Sequence, residues 1–223
     1  MFRTFFKWIL TPLLMLFFSF HMMVMGLLVV WGNLPVQNSA FMLWHRLSGG
    51  RVTQIWVDYD HIAKSAKQAA IASEDGKFVA HYGFDFDSIQ KAMHRNESQG
   101  AVSVGGSTIS QQLAKNLFLT SHRSYVRKAE EAIIVVMMET LWSKQRILEV
   151  YLNVAEFGEG IYGIEAASRH YFGRSAANLS RDQAALLISL LPNPKYYGKR
   201  PNAKRLKNKQ RIIMRRMNGA QIP

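Results

Sequence analysis

Between Trp8 and Trp31 the chain carries no formal charge, and Leu, Ile, Phe, Met and Val dominate. A run of this kind leaves little choice of environment. At 1.5 Å per residue, about two dozen helical residues reach roughly 36 Å, enough to cross a hydrocarbon core of about 30 Å with some tilt. Trp8 and Trp31 stand at the two ends, where interfacial aromatics belong. A cleavable secretion signal has a shorter apolar stretch, about 7–15 residues, and ends in small residues, whereas Val29-Val30-Trp31 offers no such site. Pro12 lies in the first turns, where a helix tolerates it, and His21 is the one ionisable side chain in the run. Arg3 and Lys7 precede the run and the first formal charge after it is Arg46. The expected orientation therefore has the N-terminus in the cytoplasm and the remainder outside. The expected organisation is a stub and anchor over 1–34, a juxtamembrane connector over 35–60 and a globular domain over 61–223. In the connector, Phe41, Met42, Leu43 and Trp44 are apolar enough to lie in the membrane interface.

The net charge of +13 points to an anionic partner: nucleic acid, anionic lipid or a phosphorylated substrate. The absence of cysteine excludes disulfides and thiolate metal sites. The stretch Gly105-Gly106-Ser107-Thr108-Ile109-Ser110-Gln111-Gln112-Leu113-Ala114-Lys115-Asn116-Leu117 supplies a place for an anion. Two glycines lead to a helix start, and Thr108 with Gln111 fits a capping box. Thr108, Gln112 and Lys115 fall at i, i+4 and i+7, so hydroxyl, amide and ammonium share one face. Ile109, Leu113 and Leu117 make a separate apolar stripe. A glycine-rich helix start with a lysine one face along suits a pyrophosphate, although an ordinary amphipathic helix has the same pattern.

Around this stretch the periodicity predicts mostly helices. Val52 to Val57 alternates weakly, as in a short strand. Ile62 to Ser73 reads as a helix with a small-residue face that stops near Asp75-Gly76. Glu74-Asp75 then lies at a helix C-terminus, where the dipole disfavours negative charge and so suits a carboxylate poised to take up a proton. Spacing alone favours a surface turn for the pair and a packed or surface position for His81. Arg95 to Gly106 is rich in Gly, Ser, Asn and Gln and reads as a loop. Tyr125 to Trp142 and Lys144 to Asn153 read as helices, the first apolar on all sides over Ala132 to Met138 and therefore expected to be buried. Glu131 has Arg127 one turn before it, Lys128 three residues before it and apolar residues after it. A carboxylate so placed stays charged more easily than a lone one. Further helices are expected from Ile161 to Phe172, ending at Gly173, and from the second capping box, Ser180 with Gln183, to Pro192. The tail from Lys199 to Arg216 is basic without an acid, and with its thin stripe of Leu206, Ile213 and Met217 it reads either as a helix on anionic lipid or as a solvated charged face.

Several pieces of this chain, in order, match a known set. They are Glu74-Asp75 with Phe78, His81, Gly83 and Asp85; Gly106-Ser107-Thr108-Ile109 with Gln111, Gln112, Lys115 and Asn116; and Arg127-Lys128 with Glu131. Ile147-Leu148-Glu149 with Tyr151-Leu152-Asn153, Gly158 and Gly163 follows, then Ala184-Ala185-Leu186-Leu187 with Leu191-Pro192-Asn193-Pro194. Together they resemble the family 51 glycosyltransferases of bacterial cell-wall synthesis, in particular the monofunctional biosynthetic peptidoglycan transglycosylases. Each motif alone is weak, but the ordered set over most of Ser73 to Pro194 is specific.

The resemblance implies a mainly α, lysozyme-like glycosyltransferase domain preceded by a single N-terminal transmembrane helix, on the outer face of the bacterial cytoplasmic (inner) membrane. It implies polymerisation of lipid II into β-1,4 glycan strands, inverting at the donor anomeric carbon, with release of undecaprenyl pyrophosphate. Glu74 corresponds to the base that deprotonates the acceptor's 4-hydroxyl, and Glu131 to the second glutamate, on the leaving-group side. Asp75, Phe78, His81, Ser107, Thr108, Gln111, Gln112, Lys115, Asn116, Arg127, Lys128 and Asn153 belong to the matched motifs and are implied to serve substrate binding. The implied partners are lipid II, the growing lipid-linked glycan, membrane lipid and other cell-wall synthases; nucleic acid is not among them. No cofactor or resident metal is implied. A divalent cation (Mg) at the pyrophosphate, held by Glu74, Asp75 and Glu131, is the alternative to lysine and arginine there. No transpeptidase is expected, because Ser88-Ile89-Gln90-Lys91 has no Lys-Thr-Gly after it.

Two other readings carry different expectations. A membrane-bound muramidase or lytic transglycosylase cuts glycan with one acidic glutamate and has no need of Lys115, Arg127 and Lys128 around an anion. A tethered nucleic-acid-binding protein would interleave aromatics with its charge, and Lys199 to Arg216 has none.

Overall fold

The computed structural model describes the backbone of residues 2–99, 106–122 and 124–223, and the side chains of 7–94, 106–122 and 124–223. Helix α1 spans Phe2–Trp31 and continues through Pro12. A core helix hides its apolar side chains; among its described side chains α1 leaves most of them out, with Trp8, Leu13, Met15, Leu16 and Met22 more than half exposed and only Val24 and Leu28 fully buried. Such a surface is stable against lipid and costly against water, which is what anchoring in a membrane requires. The short α2 (Ala40–Leu47) follows, its start held by the Ser39 hydroxyl, which accepts from Met42 N at 3.2 Å. Leu43, Trp44 and Leu47 are exposed on α2, whereas Met42, expected at the interface, is fully buried in the core.

The domain is helical with one small sheet. Thr53–Gln54 (β1) is all that forms of the strand expected over Val52 to Val57. It pairs in parallel with Ile161–Tyr162 (β3), which pairs antiparallel with Glu156–Gly158 (β2). The remaining helices are α3 (Lys64–Glu74), α4 (Phe86–Gln99), α5 (Ile109–Phe118), α6 (Tyr125–Leu141), α7 (Lys144–Val154), α8 (Ile164–Phe172), α9 (Arg181–Leu190), α10 (Pro194–Gly198) and α11 (Lys204–Arg216). The small-residue face of α3 is real: Ala66, Ala69 and Ala70 are fully buried, and their lack of bulk lets α9 and α11 lie against it. Both predicted capping boxes form. Thr108 Oγ1 accepts from Gln111 N at 3.2 Å while Gln111 Oε1 accepts from Thr108 N at 3.0 Å, and Ser180 with Gln183 repeats the arrangement at α9.

Three expectations are corrected. Arg95 to Gln99 is helical, because α4 extends the run begun at Phe86; of the expected loop, 100–105 lie outside the described residues. Helix α6 is not buried all round: Ile133, Val136 and Leu141 are exposed, so its apolar circumference serves two environments. The tail's apolar stripe does not face lipid. Leu206, Gln210, Ile213 and Met217 are buried, and α11 packs on α9 and α3, with Gln210 Nε2 donating to Asp182 Oδ1 at 2.8 Å. A stripe of three apolar side chains gains more against a preformed groove of Ala and Leu than against headgroups.

Candidate active site

Glu74 is the last residue of α3, as the helix stop predicts. Its Oε1 accepts from Ser73 Oγ at 2.6 Å and from Lys209 Nζ at 3.0 Å, and its Oε2 accepts from Gln112 Nε2 at 3.2 Å. Gln112 is held in turn: its Oε1 accepts from Tyr151 OH at 3.1 Å. Burial, followed by the charges of Glu74 and Asp75, pushes the Tyr151 hydroxyl well above its ordinary value, so it remains a donor throughout the physiological range. The carboxylate is thus fixed by one neighbour in sequence and two from distant helices.

Asp75 caps the helix next door. Its Oδ2 accepts from Ile109 N at 3.0 Å, at the start of α5, and its Oδ1 stands 2.8 Å from His81 Nε2. A carboxylate at a helix N-terminus satisfies a free N–H and meets the positive end of the dipole. Asp75 therefore ties the end of α3 to the start of α5, which sets Glu74 beside Gln112. Gly83 completes the joint: Thr108 Oγ1 donates to its carbonyl at 2.7 Å. Its φ is +83°, and a Cβ there would stand 2.4 Å from Val135 Cγ1, so only glycine fits.

On the other side of Gln112 lies a cavity of about 350 Å3, lined by Ser107, Gln112, Lys115, Arg127, Lys128 and Glu131 among others. Glu131 is 3% exposed and paired at 2.7 Å with Arg127 Nη1 and also with Lys128 Nζ. Three cations and one buried carboxylate facing one polar cavity make a receptor for a dianionic group, with bidentate donors available from the guanidinium. Gln112 belongs to both halves: it lines this cavity and bonds Glu74. A larger cavity of about 710 Å3 adjoins at Ser121, but Phe41, Trp44, Phe118 and Tyr162 dominate its wall and neither glutamate reaches it. The chemistry belongs to the smaller one.

The structure places the other candidates as follows. Ser107 and Gln111 are at the cavity wall, Gln111 with its carbonyl committed to the cap. The Thr108 hydroxyl, expected on the polar face, is 2% exposed and committed to Gly83 and Gln111. Asn116 is half-buried and lines neither cavity. Phe78 is fully buried with Lys144 Nζ 4.6 Å above its ring. Asn153 is fully buried and spends its amide on residue 57, accepting from Val57 N at 2.9 Å and donating to Val57 O at 2.8 Å. Thr108, Phe78 and Asn153 therefore build the framework that carries the site. Glu74, Asp75 and Glu131, the carboxylates considered for a divalent cation, do not gather. Among the described residues no group of three or more His, Asp or Glu is arranged to hold a metal, and these three are committed to lysines, an arginine and backbone or histidine N–H groups.

Lys209 is the residue that sequence reasoning missed. The signal was present: Lys209 follows Leu206 at i+3 and precedes Ile213 at i+4, so it shares the face of the stripe once that face turns to the core.

Comparison with known proteins agrees with the motif order. The sequence model described as Transglycosylase matches residues 42–218. A protein of Acinetobacter baylyi named biosynthetic peptidoglycan transglycosylase is 54% identical over 196 residues, 86% of this chain and 87% of its own length. Proteins of the same name from Dechloromonas aromatica and Neisseria gonorrhoeae are 48% and 45% identical, each covering 97% of this chain and 96% of the relative.

Proposed function

Because the chain belongs to the transglycosylase family, we propose that it polymerises lipid II into β-1,4 glycan strands of peptidoglycan, with undecaprenyl pyrophosphate as the leaving group. The observation that carries this reading is the Gln112 bridge, which puts a held carboxylate, Glu74, next to a cationic cavity with room for a pyrophosphate. Glu74 takes the proton of the acceptor's 4-hydroxyl, and the freed oxygen attacks C1 of the growing donor chain from the face opposite the pyrophosphate. The C1–O bond to pyrophosphate breaks as the glycosidic bond forms, so configuration at C1 inverts. The charge left on the pyrophosphate falls to Lys115, Arg127 and Lys128, and cations aimed at developing charge in a confined site supply much of the barrier reduction. Glu131 holds the two α6 cations in place and offsets part of the positive charge of the cavity. Two glutamates also serve glycoside hydrolysis, but there the nucleophile is water or carboxylate, and a lytic enzyme gives no role to three cations around an anion.

The topology follows from the anchor. With Arg3 and Lys7 in the cytoplasm, α1 crosses the membrane and the domain stands outside, at the leaflet that holds a lipid-linked substrate. Peptide cross-linking falls to other synthases. The test is incubation of the purified full chain with lipid II, followed by product sizing. Glycan polymer is expected. Release of fragments from preformed peptidoglycan without polymer points to a lytic enzyme, and salt-sensitive DNA binding without any glycan product points to the nucleic-acid reading.

A further inference from the structure

His21 is the one ionisable residue in the apolar run, and the structure gives it a partner. Its Nε2 faces Glu130 Oε2 of α6 at 3.1 Å, a contact at ion-pair distance, and neither atom has an aligned hydrogen-bond partner among the described residues. Its Nδ1 lies 2.8 Å from Phe17 O, and a carbonyl only accepts, so Nδ1 carries a hydrogen. Nε2 is then the ring nitrogen left to face Oε2 of Glu130, at ion-pair distance. Thirteen residues separate Trp8 from His21, about 20 Å along a helix, which puts the pair in the outer half of a hydrocarbon core of about 30 Å. A polar side chain at that depth is costly unless paired, and for that reason marks a specific role.

The hydrogen bonds that α1 accepts from the domain, among the described residues, lie at its outer end. Trp142 Nε1 donates to Leu28 O at 2.7 Å, the Arg146 guanidinium donates to Trp31 O at 2.7 and 3.0 Å, and Trp31 packs on Phe118. These fix the top of the anchor to α6 and α7. His21 fixes it about 10 Å lower, on the turn of α6 that carries Arg127, Lys128 and Glu131. The exposed apolar residues Tyr125, Val126, Ile133 and Val136 lie along the same helix, so this part of α6 is compatible with lipid.

We propose that His21 is a positioning residue: its contact with Glu130 inside the membrane locks the anchor against α6 and sets the height of the pyrophosphate cavity relative to the headgroups. This rests on the proposed function for its kinetic consequence but not for its structural one. The full chain is reconstituted in phosphatidylglycerol–phosphatidylethanolamine vesicles as wild type, His21→Leu, Glu130→Leu, the double variant and His21→Gln. Either single Leu variant strands one polar partner, and KM for lipid II is expected to rise about threefold to twentyfold, the span of measured interhelical polar couplings in membranes. The turnover number is expected to hold, since no reacting group is touched. His21→Gln still donates to Glu130 and should keep the wild-type KM. The double variant, with neither partner left unpaired, should be less impaired than the sum of the singles.

A substrate-independent readout accompanies the kinetics. The chain has no cysteine, so nitroxides placed at exposed Met22 and Val136 report the α1–α6 distance directly. A narrow distribution in wild type and His21→Gln that broadens in His21→Leu supports the lock. Equally narrow distributions in all variants overturn it, and broadening with an unchanged KM overturns the link to substrate. Absence of polymer from the wild type would refute the proposed function instead, leaving the distance measurement to decide the lock.

Discussion

The two glutamates of the site are held in opposite ways. Glu131 finds both its cations within one turn of its own helix, Arg127 at i−4 and Lys128 at i−3. Glu74 finds its partners on Gln112 and Lys209, 38 and 135 residues further along the chain, and only Ser73 is local. The local arrangement depends on α6 alone, so that helix presents two of the receptor's three cations ready-made, and α5 adds Lys115. The distant one exists only when α3, α5, α7 and α11 are all docked. Most of the receptor is therefore a property of one helix and the poised base a property of the fold, which gives distinct ways to break them.

The largest expected loss comes from the base. Glu74→Gln keeps the hydrogen bonds to Ser73 and Gln112 within reach but accepts no proton, so glycan synthesis should fall about 10²–10⁴-fold, the usual worth of a general base. Binding of inorganic pyrophosphate by the same variant should be unchanged, because the receptor is elsewhere. Titration calorimetry beside a polymerisation assay checks both halves. Loss of pyrophosphate binding would mean that the two glutamates are not separable.

Next stands the receptor. Arg127→Ala removes one donor to the leaving group and leaves buried Glu131 short of a partner, so kcat/KM for lipid II should fall by about 10²-fold. Glu131→Gln should behave differently: turnover falls as the cations lose their register, while pyrophosphate binds at least as tightly because a negative charge has left the cavity. Weaker pyrophosphate binding by Glu131→Gln would show that the carboxylate contributes to affinity and contradict this division of roles.

Lys209→Met sharpens the comparison, since it removes a distant partner and leaves the α3 end intact. With the ammonium partly exposed, the loss in turnover should be modest, about threefold to tenfold, and Lys209→Arg should recover most of it. In the Glu74→Gln background the same substitution should cost nothing further, because the group it positions is already disabled. An additive loss, measured across the full cycle, would show that Lys209 acts on substrate independently of Glu74.

The contrast between local and distant partners also explains how much of the molecule was legible in the sequence. Both capping boxes, the end of α3 at Glu74 and the Arg127–Lys128–Glu131 cluster depend on residues within a turn of one another, and each is read from spacing. What could not be read is which way an amphipathic element turns. The stripe of Leu206, Ile213 and Met217 is equally apolar toward lipid or toward α3 and α9, so spacing alone gives Lys209 no partner. Likewise the hydroxyl of Thr108 lies on the helix face of Gln112 and Lys115, but the carbonyl of Gly83, 25 residues earlier, claims it. Asn153 and Phe78 stand in the matched motifs, yet the structure buries both, and their roles are only visible once their neighbours are known.

Asp85 is a further local pairing and gives the smallest effect. It belongs to the matched motifs with Glu74, but its carboxylate caps the start of α4: Oδ1 accepts from Ser88 N at 3.0 Å and Oδ2 from Ser88 Oγ at 2.5 Å. Burial alone would raise its pKa, but the two hydrogen bonds from Ser88, helped by the charges of Lys77 and His81, hold it below the ordinary carboxylate range. A folded-state value below the unfolded one means the carboxylate stabilises the fold above about pH 4 and loses that contribution as the pH falls through the folded value. Asp85→Ala should therefore cost about 1 kcal/mol at pH 7, the usual worth of a cap, and lower Tm by about 2–4 °C for a chain of this size. The gap from wild type should narrow as the pH is taken below 4, and turnover per folded molecule should not change, because the side chain serves α4 and not the substrate. A gap that persists in acid would assign the loss to packing instead of to the charge, and a fall in turnover at full folding would move Asp85 into the site beside Glu74.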